Sequence, residues 1–297
     1  MKKKAGFVSI IGRPNVGKST LLNRLIGEKL AAVSSKPQTT RQVIRGILTE
    51  SRGQIVFLDT PGMHLPKDSL GKRMLAAAKS TYYEADLIFW MVSPALPGAG
   101  EKVLLEDLKE ISKPIFLLVN KADAVPKPNL LPVLDSYHKL HPFRALFPIS
   151  ALRGDNVKEL LDEAFNLLPE GAALFPGDIV SDQSERLLVS EMIREKVVRL
   201  TGEEIPYATA VEINEFKERS EQLVFIDAVI YVEKSSQKKI VIGAGGKLIK
   251  KIGSAARTDI EDFLGKKVFL NLWVKEREGW KKDGQFLSRL EHQGGSA

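Results

Sequence analysis

Two hydrophobic patterns divide the chain. Up to Leu168, short apolar runs typical of buried strands alternate with segments whose apolar residues recur every three or four positions, as in amphipathic helices. This alternation is typical of a parallel sheet with helices on both faces, so we predict a doubly wound α/β domain. The predicted strands are 6–11, 43–48, 55–58, 87–92, 115–119 and 146–149, and the predicted helices are 19–26, 69–83, 101–111, 128–139 and 156–167.

The pattern changes after a segment rich in proline and glycine at 169–177. The order then becomes αββααβ: a helix at 184–200, strands at 207–216 and 223–232, a short helix at 236–242, a glycine loop, a helix to about Leu264 and a strand at 267–274. We predict a first domain at 1–170, a linker at 171–183, a smaller α+β domain at 184–280 and a C-terminal tail at 281–297.

The segment from Gly12 to Ser19 carries the first chemical motif. It fits the pattern GxxxxGK[ST], a P-loop in which backbone N–H groups surround phosphates. An apolar run precedes it and a predicted helix follows, which is the setting that the motif requires. We expect Lys18 to reach the β- and γ-phosphates and Ser19 to bind Mg²⁺. A glycine turn without a ligand is the less favoured interpretation.

Three further segments are expected to complete the phosphate and magnesium site. Asp59-Thr60-Pro61-Gly62 follows a predicted strand, so Asp59 would hold Mg²⁺ at the carboxyl edge of the sheet and the Gly62 N–H would meet the γ-phosphate. Residues 34–41 and 63–70 are the predicted switches I and II. One of two switch I threonines should reach Mg²⁺, and the sequence does not say which. The predicted metal ligands are Ser19, Thr39, Thr40 and Asp59, and the predicted catalytic residues are Asn15, Lys18, Thr39, Thr40, Asp59 and Gly62.

Asn120-Lys121-Ala122-Asp123 follows another buried-strand pattern and predicts the choice of base. Guanine presents two adjacent donors, which one carboxylate can accept, whereas adenine presents an acceptor and a C–H there. Asp123 should therefore select guanine. We expect the Lys121 stem to lie over the base and the Ala151 amide to approach O6. The predicted nucleotide-binding residues are Gly12, Arg13, Pro14, Asn15, Val16, Gly17, Lys18, Ser19, Thr20, Asp59, Thr60, Pro61, Gly62, Asn120, Lys121, Asp123, Ser150, Ala151 and Leu152.

A basic segment near the C-terminus indicates an RNA partner. Residues 234–257 carry seven basic and no acidic residues, and they enclose the loop Gly243-Ala244-Gly245-Gly246. The element order with GxxG between two helices is that of a type II KH domain, in which bare amides and a helix N-terminus contact phosphates. A groove including Ile242, Leu248 and Ile249 would take the bases. The predicted RNA-binding residues are Ile242, Gly243, Ala244, Gly245, Gly246, Lys247, Lys250 and Lys251.

Together the motifs resemble the Era family of bacterial GTPases, over about residues 4–289. The segments that carry this resemblance are GRPNVGKS, Gln38-Thr39-Thr40-Arg41, DTPG, NKAD and VIGAGGK at 241–247. The resemblance implies binding of GTP and GDP with Mg²⁺, and hydrolysis of GTP. It also implies that the KH domain binds the 3′ end of small-subunit ribosomal RNA during assembly of a 30S-type subunit, with the RNA-binding face free in the GTP form. A cytoplasmic monomer that associates peripherally with the inner face of the cell membrane is implied as well.

Two residues depart from the usual motifs. Met63 follows Gly62 at the position where Ras-like enzymes have a water-orienting glutamine, so we expect slow intrinsic turnover. A K⁺ ion near Asn15, as in related enzymes, is our hypothesis for the electrophile. Ala244 stands where GxxG loops often carry a basic residue, so one phosphate contact is expected to be absent.

Composition limits the alternatives. The chain of 297 residues has no cysteine, which excludes disulfides and thiol catalysis, and its four scattered histidines argue against a histidine zinc site. No apolar run approaches the roughly 18–20 residues that span a bilayer. A metabolic phosphotransferase is disfavoured by the guanine-reading motif. A passive RNA-binding scaffold with a vestigial nucleotide site is disfavoured because every nucleotide-contacting segment is present.

Overall fold

The computed structural model describes residues 3–36, 38–63, 66, 68–202 and 204–293. The chain forms two compact units. Of the described residues, the first unit comprises 3–30, 40–63, 66 and 71–182, and the second comprises 31–36, 38–39, 68–70, 183–202 and 204–293. Within the described ranges, no helix is both long enough and apolar enough to cross a membrane.

The first unit is a six-stranded sheet with helices between its strands. The strand order is β2-β3-β1-β4-β5-β6, and every neighbouring pair is parallel except β2 and β3. The predicted doubly wound α/β class is confirmed. The elements are β1 Lys4–Gly12, α1 Lys18–Ile26, β2 Ile44–Glu50, β3 Gly53–Asp59, α2 Ser69–Glu84, β4 Leu87–Val92, α3 Ala99–Lys109, β5 Ile115–Val119, α4 Lys127–His138, β6 Ala145–Pro148 and α5 Val157–Leu167.

The central strands place the candidate chemistry at one edge of this sheet. β4 and β5 are buried at every position, because helices cover both faces of a parallel sheet. β1, β3 and β5 run in the same direction and end at Gly12, Asp59 and Val119. The three motifs begin at or directly after those positions, so they lie together at the carboxyl edge of the sheet.

The segment predicted as a linker, 171–183, is packed against the first unit over most of its length. The buried Gln54 amide accepts hydrogen bonds from the backbone N–H groups of Leu174 (2.8 Å) and Phe175 (2.9 Å) and donates one to the Phe175 carbonyl (2.9 Å). Phe175 and Ile179 pack on a small apolar cluster formed by Ile47, Val56 and Leu58. Two isolated apolar residues give no periodic signal, which is why the sequence indicated only a break.

The second unit contains a three-stranded sheet of order β7-β8-β9, in which β7 and β8 are antiparallel and β8 and β9 are parallel. The predicted α+β class and type II KH order are confirmed. Apolar residues from one sheet face, α6, α8 and α9 form the core. The elements are α6 Glu185–Leu200, α7 Ile205–Ala208, β7 Ala210–Ser220, β8 Leu223–Val232, α8 Ser235–Ile242, α9 Lys247–Leu264, β9 Lys267–Glu276 and α10 Gly284–Glu291.

Two boundaries in this unit differ from the predicted ones. The strand predicted from Tyr207 begins at Ala210, because Pro206 lies in the first turn of α7, where its missing N–H costs no hydrogen bond. The predicted tail contains α10, whose buried Phe286, Leu287 and Leu290 were too few to reveal a helix. The Asp283 side chain caps that helix by accepting from the Phe286 N–H at 3.0 Å. Residues 294–297 lie outside the described residues.

The second unit also includes residues 31–36 and 38–39, which pack on α6. The Lys36 ammonium donates to the Val198 carbonyl at 2.6 Å, and the Arg194 guanidinium donates to the Thr39 carbonyl. Arg194 is itself buried and paired with Glu191 one turn earlier. The core of the second unit covers the other side of α6 and Lys196 pairs with Asp259 on α9, so α6 is buried around most of its circumference, including its charged residues.

Candidate nucleotide and RNA sites

The P-loop between β1 and α1 closes around the Lys18 ammonium. That group donates to the carbonyls of Gly12 (3.2 Å) and Arg13 (3.1 Å). Gly12 has a φ of +148°, and a Cβ atom there would lie 2.3 Å from the Met91 carbonyl oxygen. Only glycine fits this position, because any side chain at residue 12 would clash with the backbone of β4. The N-terminus of α1 begins at Lys18, directly after the loop.

Three side chains form a compact cluster of oxygen atoms beside the P-loop. The Ser19 hydroxyl donates to Asp59 Oδ2 at 2.6 Å and lies 2.8 Å from the Thr40 hydroxyl. Asp59 Oδ1 is buried and has no hydrogen-bond partner within the described ranges. A buried acceptor of this kind is costly unless a cation or another donor reaches it. Two hydroxyls and a carboxylate match the oxygen ligands that Mg²⁺ prefers, so the donor set fits this ion.

The geometry distinguishes the two switch I threonines. Thr40 belongs to the oxygen cluster, whereas the Thr39 hydroxyl donates to the Lys36 carbonyl at 2.7 Å. Of the two threonines that the sequence left open, Thr40 is therefore the better candidate for a metal ligand. The assignment of Thr39 as a ligand receives no support from its side-chain geometry.

Burial shifts the charges of this site toward their neutral forms. Desolvation lowers the pKa of Lys18 to about 8 and raises the pKa of Asp59 to about 6, although each group partly stabilises the charge of the other. Neither group has a full set of countercharges in the protein alone. A bound phosphate chain with its cation would supply negative charge to Lys18 and positive charge to Asp59.

Asn120 connects the three parts of the base pocket. Its Nδ2 donates to the Val16 carbonyl in the P-loop at 2.7 Å, and its Oδ1 accepts from the Ala151 N–H at 2.9 Å. The Lys121 ammonium adds a second link by donating to the Asn15 carbonyl at 2.8 Å. The Ala151 N–H, which was predicted to approach guanine O6, is therefore bonded to Asn120 in this structure. The difference arises because the buried Ala151 N–H needs an acceptor and the fixed Asn120 side chain provides one.

Asp123 is held in its ionised form. A hydrogen bond from the Ser150 hydroxyl lowers the pKa of Asp123, and the nearby Arg153 guanidinium, 3.5 Å from Oδ2, lowers it further. An ionised carboxylate is an acceptor only, which is the property needed to bind two adjacent donors. Leu152 is 70 % exposed at the rim of this region, and its carbonyl accepts from Arg24.

The remaining predicted nucleotide-binding residues differ in the contacts that they make within the protein. The Arg13 guanidinium forms an ion pair with Glu101 at 3.3 Å, and the buried Thr60 hydroxyl donates to the Ile10 carbonyl at 2.8 Å, so that side chain is engaged within the protein. Gly62 lies against Pro14, whose Cα would be 2.7 Å from an added Cβ. Close packing of these two loops therefore requires glycine at position 62.

Met63, which replaces the usual glutamine, points into the protein core. Its sulfur atom accepts a hydrogen bond from the buried Tyr82 hydroxyl at 2.7 Å, and the side chain belongs to the main apolar cluster of the first unit. A buried thioether cannot orient an attacking water. In the predicted switch II, residues 64, 65 and 67 lie outside the described residues.

We expect Asn120→Ala to weaken both the fold and nucleotide binding. The change removes the bonds to Val16 and Ala151 and leaves two buried backbone groups without partners, which should lower the free energy of unfolding by about 2–4 kcal/mol. Urea unfolding and GTP titration measure the two effects. Asn166→Ala, at an exposed position of α5, is the matched control. Equal stability of both variants would contradict the bridging role of Asn120.

The GxxG loop of the second unit has the backbone that its glycines permit. Gly243, Gly245 and Gly246 have φ values of +72°, +57° and +75°, and the loop forms a tight turn in which the Gly246 N–H donates to the Gly243 carbonyl at 3.1 Å. α9 begins immediately afterwards at Lys247. Three features therefore lie side by side here: a loop with glycine at three of its four positions, a helix N-terminus and the exposed basic residues Lys247, Lys250 and Lys251.

The groove beside this loop lies between α9 and β9. It has a volume of about 380 Å³ and is lined by Ile249, Lys250, Gly253, Ser254, Arg257, Leu270 and Leu272. Of the residues predicted for the groove, Ile249 lines it, whereas Leu248 and Ile242 are not part of the lining. Arg257 ends the basic segment noted in the sequence. Leu270 and Leu272 were missed because their alternation on β9 is equally typical of core residues.

The fold and these sites define a P-loop GTPase joined to a KH domain. Residues 7–121 match the family described as 50S ribosome-binding GTPase, and residues 204–281 match the KH domain family. The chain is 48 % identical to GTPase Era of Ruminiclostridium cellulolyticum (strain H10) over 99 % of each sequence. The chain therefore belongs to the Era family of GTPases, as the motifs predicted.

Two solved structures resemble the whole chain. One is Era in complex with MgGDPNP and nucleotides 1506–1542 of 16S ribosomal RNA, with 40 % identity, a TM-score of 0.94 and coverage of 97 % of this chain and 98 % of that one. The other is a tyrosine-to-alanine variant of Aquifex aeolicus Era bound to GDP and AlF4⁻, with 40 % identity, a TM-score of 0.93 and the same coverage.

Proposed function

We propose that this protein is a GTP-hydrolysing switch that binds the 3′ end of small-subunit ribosomal RNA and assists assembly of the small ribosomal subunit. One observation carries the proposal: the chain is similar over 97 % of its length to an Era structure that holds a GTP analogue and 16S ribosomal RNA together. In the proposed cycle the GTP form exposes the RNA-binding face, and hydrolysis returns the protein to a weakly binding state.

The proposed nucleotide chemistry uses the residues of the first unit. Ser19, Thr40 and Asp59 would hold Mg²⁺, which supplies positive charge beside the β- and γ-phosphates when it is bound. The Lys18 ammonium, 3.1–3.2 Å from the Gly12 and Arg13 carbonyls, is placed to exchange these contacts for phosphate oxygens. The Gly62 N–H would detect the γ-phosphate. Stabilisation of the negative charge on the phosphate oxygens in the transition state, without a side-chain base, would then lower the barrier to hydrolysis.

We expect GTP hydrolysis to be faster in potassium chloride than in sodium chloride at equal ionic strength. Met63 is buried and cannot orient water, so a monovalent cation near Asn15 would provide the additional positive charge. The backbone at Asn15 is left-handed, with φ of +63°. Phosphate release measured in the two salts gives the comparison, and Asn15→Ala should remove most of the potassium effect. Identical rates for the unmodified protein would exclude this role.

We also infer that the protein works as a cytoplasmic monomer that associates peripherally with the inner face of the cell membrane. Its family resemblance supports this location. Fractionation of cells into membrane and supernatant, with and without a high-salt wash, tests the peripheral association, because an electrostatically held protein is released by salt.

The decisive experiment is recovery of RNA crosslinked to the full-length protein. The protein is loaded with a non-hydrolysable GTP analogue, with GDP or with the matching ATP analogue, and the bound RNA is sequenced. We expect fragments from the 3′ end of small-subunit RNA, enriched in the GTP-analogue sample. Enrichment with the ATP analogue would favour a phosphotransferase, and equal recovery in every sample together with no GTP turnover would favour a passive scaffold. Either result would overturn the proposed switch.

A further inference from the structure

The outer face of the β7-β8-β9 sheet is only partly covered. Even-numbered residues of β8, such as Ile226 and Ile230, belong to the helix-facing core, so the odd-numbered residues face the opposite side. α10 covers one end of that side, where Phe286 contacts Tyr231 edge to face with ring centroids 5.0 Å apart. The other end remains open. We call it the open sheet face; its residues are Glu215, Lys217, Arg219, Leu223, Phe225, Asp227, Lys267, Phe269, Asn271 and Trp273.

Large aromatic rings are exposed on the open sheet face. Phe269 is 60 % exposed and Trp273 is 54 % exposed. Phe269 stacks on Phe225 with centroids 5.7 Å apart and planes at 17°, and the Arg219 guanidinium lies 5.1 Å from the centroid of Phe225. Exposed rings cost solvation free energy that a folded domain ordinarily avoids, so two of them on the outward side of one strand, with only Asn271 between them, indicate a binding surface.

A carboxylate fixes the tryptophan ring. The Trp273 indole N–H donates to Asp227 Oδ1 at 2.9 Å, and the Asn271 amide donates to the same oxygen at 2.6 Å. Asn214 donates to the other carboxylate oxygen at 3.1 Å. Because the indole N–H of Trp273 already has Asp227 as its acceptor, the ring can present its apolar face to a ligand without losing a hydrogen bond. A ligand would therefore find this ring preorganised.

We propose that the open sheet face is a second RNA-binding surface, on which unpaired bases stack on Phe269 and Trp273. This inference rests on the proposed RNA-binding function and extends it beyond the GxxG loop. Bases stack on exposed rings of sheet surfaces without sequence preference, and cations beside the rings hold the backbone. Lys217 and Arg219 on β7 and Lys267 on β9 supply such cations. These three outnumber the two carboxylates of the open sheet face, Glu215 and Asp227.

The open sheet face is continuous with the groove through β9. Leu270 and Leu272 line the groove, and the alternating residues Phe269, Asn271 and Trp273 lie on the open sheet face of the same strand. β9 is an edge strand, so RNA leaving the groove has to pass only one strand to reach the rings. A protein partner fits less well, because the polar Asp227 and Asn271 separate the two exposed rings and interrupt any continuous apolar patch.

Tryptophan fluorescence of the full-length protein tests base stacking directly. Of the three tryptophans, Trp90 and Trp280 are buried and Trp273 is exposed, so a quencher that stacks on the surface reports on Trp273. The probes are an unstructured oligonucleotide of about 4 nucleotides, enough for a GxxG loop, and one of about 16. We expect quenching with the longer oligonucleotide only, and none in Trp273→Phe. Equal quenching by both, or by neither, would overturn the proposal.

Affinity measurements on variants provide the second test. Phe269→Ala and Trp273→Ala should each weaken binding of the longer oligonucleotide about tenfold and leave the shorter one unaffected. Tyr83→Ala, which removes a ring that is 79 % exposed on α2, is the matched control. Unchanged binding of both oligonucleotides, as expected for a protein-binding surface, would refute the second site. Failure of the unmodified protein to bind even the shorter oligonucleotide would instead refute the proposed function itself.

Discussion

Replacing Asp123 with asparagine is expected to lower the affinity for GTP by about a thousandfold. The carboxylate is ionised because the Ser150 hydroxyl and Arg153 stabilise its charge, and it would accept both donors of guanine. Asparagine keeps one acceptor and adds a donor, so one guanine donor would face another. Replacing two hydrogen bonds to a charged acceptor by one to a neutral acceptor and one donor–donor contact costs roughly 4 kcal/mol in total. Calorimetric titration with GTP and GDP measures the loss.

The same variant should gain affinity for xanthosine triphosphate. Xanthine has a carbonyl where guanine has its amine, and the new amide donor can bond to it. Asp135→Asn, an exposed carboxylate paired with Lys139 on α4, is the matched control and should change neither affinity. If Asp123→Asn binds GTP as tightly as the unmodified protein, the base is recognised elsewhere.

The nucleotide site could be predicted because each of its motifs is local. Gly12, Asp59 and Asn120 all stand at or directly after the ends of apolar runs, so strand periodicity and motif identity gave the same positions independently. What the sequence left open was contact between distant segments. Thr39 and Thr40 are adjacent and chemically identical, and only the path of the chain places Thr40 beside Ser19.

The RNA site was predicted less completely, for a physical reason. The GxxG loop and its lysines are contiguous, whereas the groove also needs the second wall that β9 supplies through Leu270 and Leu272. An alternating strand predicts two faces without saying which is buried. For the same reason Phe269 and Trp273 could be read from the sequence as core residues, and only the three-dimensional structure shows them exposed.

Replacing Gly246 with aspartate is expected to abolish most RNA binding while leaving GTP affinity unchanged. The residue is the last before α9, and an added Cβ would have only Ile249 Cγ2 nearby, at 4.0 Å. Aspartate tolerates the left-handed backbone there better than most residues, so the domain should still fold. Its charge would occupy the place where glycine amides meet phosphate, and we expect RNA affinity to fall about a hundredfold or more at low salt.

The other end of the same helix supplies a closely matched control. Gly265 also has a positive φ, +63°, and an added Cβ there would meet nothing within 4 Å. Gly265→Asp therefore introduces the same side chain, charge and backbone strain at the C-terminus of α9, away from the GxxG loop. It should retain RNA binding within a few fold, whereas Gly246→Asp loses it. Similar losses in both variants would mean that strain in α9, and not charge at the loop, controls RNA affinity.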